Sequence, residues 1–381
     1  MASRNIAGYF RDQQKKCQDH ADLCQEWSLL EELYNKKLWH QLTLRVLQFS
    51  KHPYFSENDN LIQFYQNFII DFEHRINPLA LMEIVIGVVK QMKDFQEALK
   101  FLEKIKENIK SSEEALILCL TAIGNIYLQL NNLDETKKII KEADKKVNDL
   151  DGVTPVHQRF YELSSSYYKL TVDYASYYRD SLRYLGCVDI KDIPNHELLD
   201  RAFSLCLAAI LGKNVYNFGE LLAHPVLNCL QNTNQKWLMD LLYAFNSGDL
   251  NKFYELQPLW KQQKDLETNV SSMLQKIMLL CLMEMTFKRP ANHRQLTFEE
   301  ISKETKKPIE EVELLVMKAL SLKLVEGLID GVEQKVHMSW VQPRVLDKQQ
   351  ITGLQDRMKT WFQEVNVMET LVEQQAQEIL T

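Results

Sequence analysis

Three places in this sequence hold residue types that could do chemistry. His196-Glu197-Leu198-Leu199-Asp200 carries the start of a helical zinc-hydrolase motif, in which two histidines four residues apart hold the metal and the glutamate serves as base. Asp200 stands where the second histidine belongs, so the metal pair is incomplete. Gly212-Lys213-Asn214 matches the end of a phosphate-cradling loop. Leu207 replaces the loop's first glycine, and Asn214 replaces the hydroxyl residue that would meet magnesium. Cys119, Cys206 and Cys281 could supply a thiolate nucleophile if the fold brought a histidine to one of them. All three lie inside apolar stretches, where a cysteine acts as a small buried hydrophobe. The seven cysteines include no C-x-x-C pair, the nine histidines include no H-x-H pair, and no G-x-G occurs. No catalytic residue, cofactor or metal site is expected.

The elements that would have to position such residues are helices. Only 11 of 381 residues are glycine, where a usual share of ~7% would give about 27, and there are nine prolines. A chain short of both has few tight turns, which argues against many-stranded hairpin folds and Gly-rich nucleotide folds. Hydrophobic residues make up 45%, enough to build a core. The net charge of −7 gives no overall attraction to nucleic acid or anionic lipid. The longest apolar runs, Leu205 to Leu211 and Ile277 to Met283, fall well short of the ~18 residues of a membrane span. The first residues, through Arg11, Lys15 and Lys16, show no secretory apolar core, and free scattered thiols suit a reducing cytosol or nucleus.

Residues 1–25 are polar without a clean period and are expected to form a loosely held end. From Trp27 apolar residues recur three and four apart. Phe95, Leu133 and Tyr174 each follow an Asp or Asn and precede a helical stretch, at spacings of 38 and 41, and Leu250 lies 76 further on. A period of this size predicts a right-handed α-solenoid of helical hairpins, similar to tetratricopeptide repeats, over residues 26–285.

The pattern changes over 286–345. Thr297-Phe298-Glu299-Glu300 is a capping box for a short helix, and Ile309 to Lys323 forms a second, amphipathic helix. Leu324 to Ile329 and Lys335 to Val341 read as two strands joined at Asp330-Gly331, with Val336, Met338 and Trp340 on one face. Two helices and a hairpin make a winged helix. Its second helix opens with Glu310, Glu311 and Glu313, and Lys288 to Arg344 holds ten basic against nine acidic residues, so DNA binding is not expected. The unpaired edge of the hairpin could instead extend a neighbour's sheet. Residues 346–381 form one long helix. Ile351, Leu354, Met358, Trp361, Val365, Met368 and Val372 alternate three and four apart, and Ile379 continues the phase. Such a narrow seam is expected to pair with helices of other chains, the alternative being a helix folded back on its own solenoid.

A helical-repeat array, a winged helix and a long terminal helix together resemble the PCI-domain family, the scaffold subunits of the proteasome lid, the signalosome and a translation initiation factor. The stretches Tyr34–Leu44, Tyr184–Asp192, Asn217–Pro225, Ala244–Asp249, Leu282–Phe287, Arg289–Ile301, Glu313–Leu320 and Val341–Asp347 carry the resemblance, which runs from about Trp27 to Thr381 and points to the lid. It implies a cytoplasmic and nuclear, non-enzymatic subunit that supports ATP-dependent destruction of ubiquitinated proteins. In this family wings join side by side and terminal helices gather in a bundle. The resemblance therefore implies that the hairpin (Val336, Met338, Trp340) and the seam (Ile351 to Ile379) meet other PCI subunits and the MPN-domain subunits of the lid. Another PCI complex, a winged-helix nucleic-acid binder and an enzyme with a spatially assembled Cys-His site are the alternatives.

Overall fold

Helices form wherever apolar residues recur at three and four, which is through most of the chain. The computed structural model describes residues 6–16, 21–55, 59–289, 294–345 and 348–380. In chain order the helices begin with α1 (Ile6–Lys16), α2 (Ala21–Asn35), α3 (Trp39–Phe49) and α4 (Asn60–Phe64). A π turn at Tyr65–Ile69 leads into α5 (Ile70–Phe72). Then come α6 (Pro78–Gln91), α7 (Phe95–Asn108), α8 (Glu113–Gln129), α9 (Leu133–Asn148), α10 (Pro155–Leu170) and α11 (Tyr174–Cys187). Beyond them lie α12 (Asn195–Leu211), α13 (Gly219–Ala223), α14 (Lys236–Ser247), α15 (Leu250–Glu255), α16 (Gln257–Trp260), α17 (Lys264–Thr268) and α18 (Val270–Lys288). The last part holds strand β1 (Gln295–Thr297), α19 (Phe298–Thr305), α20 (Ile309–Ser321), β2 (Val325–Asp330), β3 (Lys335–Val341) and α21 (Lys348–Leu380).

The 38- and 41-residue period has a physical cause. Each repeat position is the N-cap of the helix that follows it. Asp94 accepts from the Gln96 amide at 2.8 Å, Asn132 from Glu135 at 3.4 Å, Asp173 from Ser176 at 3.3 Å, and Asp249 from Asn251 at 3.0 Å. Such a cap satisfies one of the four amides that a helix start leaves without a partner. The recurring Phe95, Leu133, Tyr174 and Leu250 open the helices that follow.

By its contacts the chain divides into two units. One comprises residues 1–172 and 183–188, the other 173–182 and 189–381. The first has an aromatic core at its N-terminal end: Trp27, Phe49, Phe55, Phe64, Phe68 and Phe72 meet largely edge to face. Over the described residues 6–16 and 21–25 the structure differs from the loose end expected for 1–25. α1 packs on α2 and on the Tyr65–Ile69 turn, and Phe10 is 1% exposed with its ring 4.9 Å from that of Phe68. Tyr9 also sets its ring edge to face against Trp27, so two aromatic side chains pack a helix that is otherwise rich in polar residues.

The second unit is built on α18. Its Met273, Ile277, Leu280 and Met283 are buried, and α12, α14, α15, α17, α19, α20 and β3 pack around it. Its length and apolar character would suit a membrane crossing, but here it is the core helix of this unit. It packs both on helices before it and on the winged helix after it. The winged helix itself has three strands where two were expected, all antiparallel in the order β1-β3-β2.

Candidate interaction surfaces

The wing turns a different face outward from the one its alternation suggested. Val336 and Met338 are 0% and 4% exposed, packed into the unit's own core, and cannot meet a partner. Trp340 does not share their face. A bulge between Glu326 and Gly327 pairs Gly327 with Met338 and Glu326 with Trp340, so Ser339 is the extra residue. Beyond it the inward face passes to Val325, and Trp340 is 38% exposed. Gly327 permits this: a Cβ there would overlap the His337 carbonyl. The turn also differs from a tight Asp-Gly hairpin. Asp330 accepts from the amides of Val332 and Glu333 at 3.0 Å each, and Gln334 takes the left-handed conformation. The outward residues are Leu328, 76% exposed, and Val332 at the tip. Among the described residues β2 has one sheet neighbour, so its outer edge is unpaired.

The second helix of the winged helix, α20, buries Val312, Leu315, Val316 and Ala319 and exposes Leu314 and Met317. Glu310 and Glu311 occupy its first turn, where they suit the helix dipole and would repel a phosphate backbone.

The terminal helix α21 runs 33 residues, about 50 Å at 1.5 Å per residue. Ile351, Leu354, Met358, Trp361, Val365, Met368 and Val372 are all exposed. The side chain of Ile379 lies outside the described residues. The period of three and four missed Phe362, Val367 and Leu371, which are exposed as well and widen the stripe.

The candidates for chemistry find structural uses. Glu197 accepts from the Arg201 guanidinium at 2.7 Å, one turn along α12. Gly212 follows that helix, and its carbonyl faces a lysine ammonium at 2.9 Å. Burial pushes the thiols of Cys119 and Cys281 up to about 12 and raises that of Cys206 too, so none carries a thiolate at neutral pH. No group of three metal-ligating side chains occurs among the described residues.

Comparison with known proteins places these surfaces in context. Residues 26–242 match the PSD13 N-terminal repeats, and residues 253–340 match the PCI domain. The chain is 38% identical over 371 residues to the 26S proteasome non-ATPase regulatory subunit 13 homolog A of Arabidopsis thaliana, covering 95% of this chain and 96% of that one. It is 36% identical over 362 residues to the 26S proteasome non-ATPase regulatory subunit 13 of Dictyostelium discoideum, covering 92% and 93%. In the same organism the eukaryotic translation initiation factor 3 subunit M is 22% identical over 329 residues, covering 83% and 80%.

Proposed function

The chain belongs to the family of 26S proteasome non-ATPase regulatory subunit 13, and from that premise we propose that it is a non-catalytic scaffold of the lid of the proteasome regulatory particle. It would hold neighbouring subunits in place while the particle degrades ubiquitinated proteins at the expense of ATP, in the cytoplasm and the nucleus. The observation that carries this reading is α21, a 33-residue helix with an exposed apolar stripe along its length. An apolar face of that extent is a binding surface. Its partners would be terminal helices of other PCI subunits and of the MPN-domain subunits. The unpaired edge of β2, with Leu328 beside it, would meet an adjacent winged helix. The acidic opening of α20 speaks against nucleic acid as a ligand. A place in a translation initiation complex rests on the weaker of the two likenesses found within one organism. The test is deletion of residues 347–381: the remaining chain should keep its helical content and unfolding midpoint but fail to enter the lid. Co-purification of the shortened chain with the particle at normal levels would sink the reading.

A further inference from the structure

Where the wing ends, three distant stretches of chain meet on one linker. After β3 the chain runs Gln342-Pro343-Arg344-Val345 before α21 begins at Lys348. Pro343 and Val345 face solvent, but the Arg344 side chain between them is 9% exposed. Its guanidinium pairs with the carboxylate of Glu284 on α18, itself 9% exposed, and its Nη1 donates to the carbonyl of Asn246 on α14 at 3.1 Å. The Val345 amide donates to Oδ1 of Asn217 at 3.4 Å, the oxygen that also takes the Gly219 amide at 3.1 Å. Gly219 opens α13, and a Cβ added there would overlap the Val345 side chain. Asn217, Asn246, Glu284 and Arg344 lie in four of the separate stretches that carry the family resemblance.

A buried ion pair is weak evidence for stability, since an apolar pair of the same volume often does as well. This one holds a segment whose flanking side chains bury little. A guanidinium offers a planar fork that fixes two acceptors at set angles. Gly219 leaves room for the linker to lie against α13. A linker free over its length would let the helix beyond it sweep through many orientations, and that freedom would be lost on assembly.

We propose that Arg344, held by Glu284 and Asn246 and followed by Val345 seated over Gly219, is a positioning residue that fixes where the terminal helix leaves the body and so presents its apolar stripe for assembly. This rests on the scaffold reading.

Hydrogen exchange on the isolated full chain tests it, with Arg344→Met and Gly219→Ala as variants. In Arg344→Met the Glu284 carboxylate keeps Lys288 at 3.7 Å, so α18 is not left with a bare buried charge. Gly219→Ala leaves the ion pair untouched and acts only through contact with Val345. The Val345 amide should exchange at least tenfold faster in both, with 270–288 as protected as in the native chain, and entry into the lid should slow several-fold. Native exchange in the linker of a folded variant overturns the proposal, and so does a loosened linker with native assembly. If Arg344→Met loses protection over 270–288, Gly219→Ala decides. Normal assembly of the chain lacking 347–381 would instead overturn the scaffold reading, and the anchor's use with it, whatever the exchange rates are.

Discussion

The ammonium of Lys276 lies 2.6 Å from the carbonyl oxygen of Ala209, sixty-seven residues away in sequence. It also donates to the carbonyls of Ile210 and Gly212 at 3.0 and 2.9 Å. These are the last carbonyls of α12 and the residue beyond, which the helix leaves unpaired and where its dipole favours a cation. The rings of Tyr216 and Phe218 flank the same ammonium. Lys276 on α18 thus serves as a C-terminal cap for α12 in the core of the second unit.

Replacing Lys276 with Met should cost about 2–4 kcal/mol, because three carbonyls lose their donor in a dry site. Burial pushes the ammonium down to about 7 from its usual 10.5, against the carbonyls that favour its charge. Between those values the unfolded chain binds the extra proton, so this site's contribution to stability rises with pH from about 7 toward 10. Below about 7 both states are protonated and the contribution is flat. Urea unfolding at pH 7 and pH 9 checks this: the native chain should gain stability relative to Lys276→Met at the higher pH.

Gly248→Ala should destabilise the second unit by at least about 2 kcal/mol. Gly248 ends α14 in the left-handed conformation, with φ of 65°, and an added Cβ would lie 2.5 Å from the Cα of Cys281. Both the backbone strain and the clash with α18 act in the same direction. Calorimetry should show a lowered unfolding temperature, and an unchanged one would mean that α14 and α18 can separate without penalty.

Phe10→Ala separates the expectation for the N-terminal end from its structure. A residue in a loose tail would change stability by a few tenths of a kcal/mol, whereas truncating a fully buried phenylalanine costs about 3–5 kcal/mol. The larger value is expected from the packing of Phe10 on Phe68 and Trp27. Chemical denaturation followed by tryptophan fluorescence checks it, since Trp27 reports on this cluster.

What was legible depended on whether a feature is carried by the residues themselves or by their pairing. The Thr297 capping box and the seam of α21 follow from spacing within one helix, and both were readable: Thr297 and Glu300 exchange bonds at 3.2 and 3.1 Å. The outward turn of Trp340 depends on register against β2, which alternation along β3 cannot reveal. The isolated Gly327 inside a strand was the available signal for that bulge. β1 has three residues, too few for a period, and forms only because β3 offers Lys335 to His337 as partners. The anchor of Arg344 joins it to residues 60 and 98 positions away, and no local pattern marks it.

The shape of the apolar stripe on α21 makes a graded prediction for assembly. At about 100° per residue, Ile351, Leu354, Met358, Trp361, Phe362, Val365, Met368 and Val372 span an arc of about 120°. Leu371 and Val367 extend that arc round the helix in its C-terminal half. A single partner helix covers a narrow seam, whereas several neighbours cover a broad one. Val365→Asp with Met368→Asp removes two side chains from within this arc, each contributing about 1.5–3 kcal/mol on burial. The association constant should therefore fall at least ~100-fold. Val367→Asp, on the far side, should weaken entry into the lid too, but less, if neighbours enclose the helix; native assembly of that variant would show instead that α21 pairs along one seam. In both variants the unfolding stability of the isolated chain should stay within about 0.5 kcal/mol of the native value, because these side chains already face solvent. Incorporation assays beside circular dichroism of the monomer separate the two effects: a variant that unfolds the monomer would show that α21 belongs to the chain's own core.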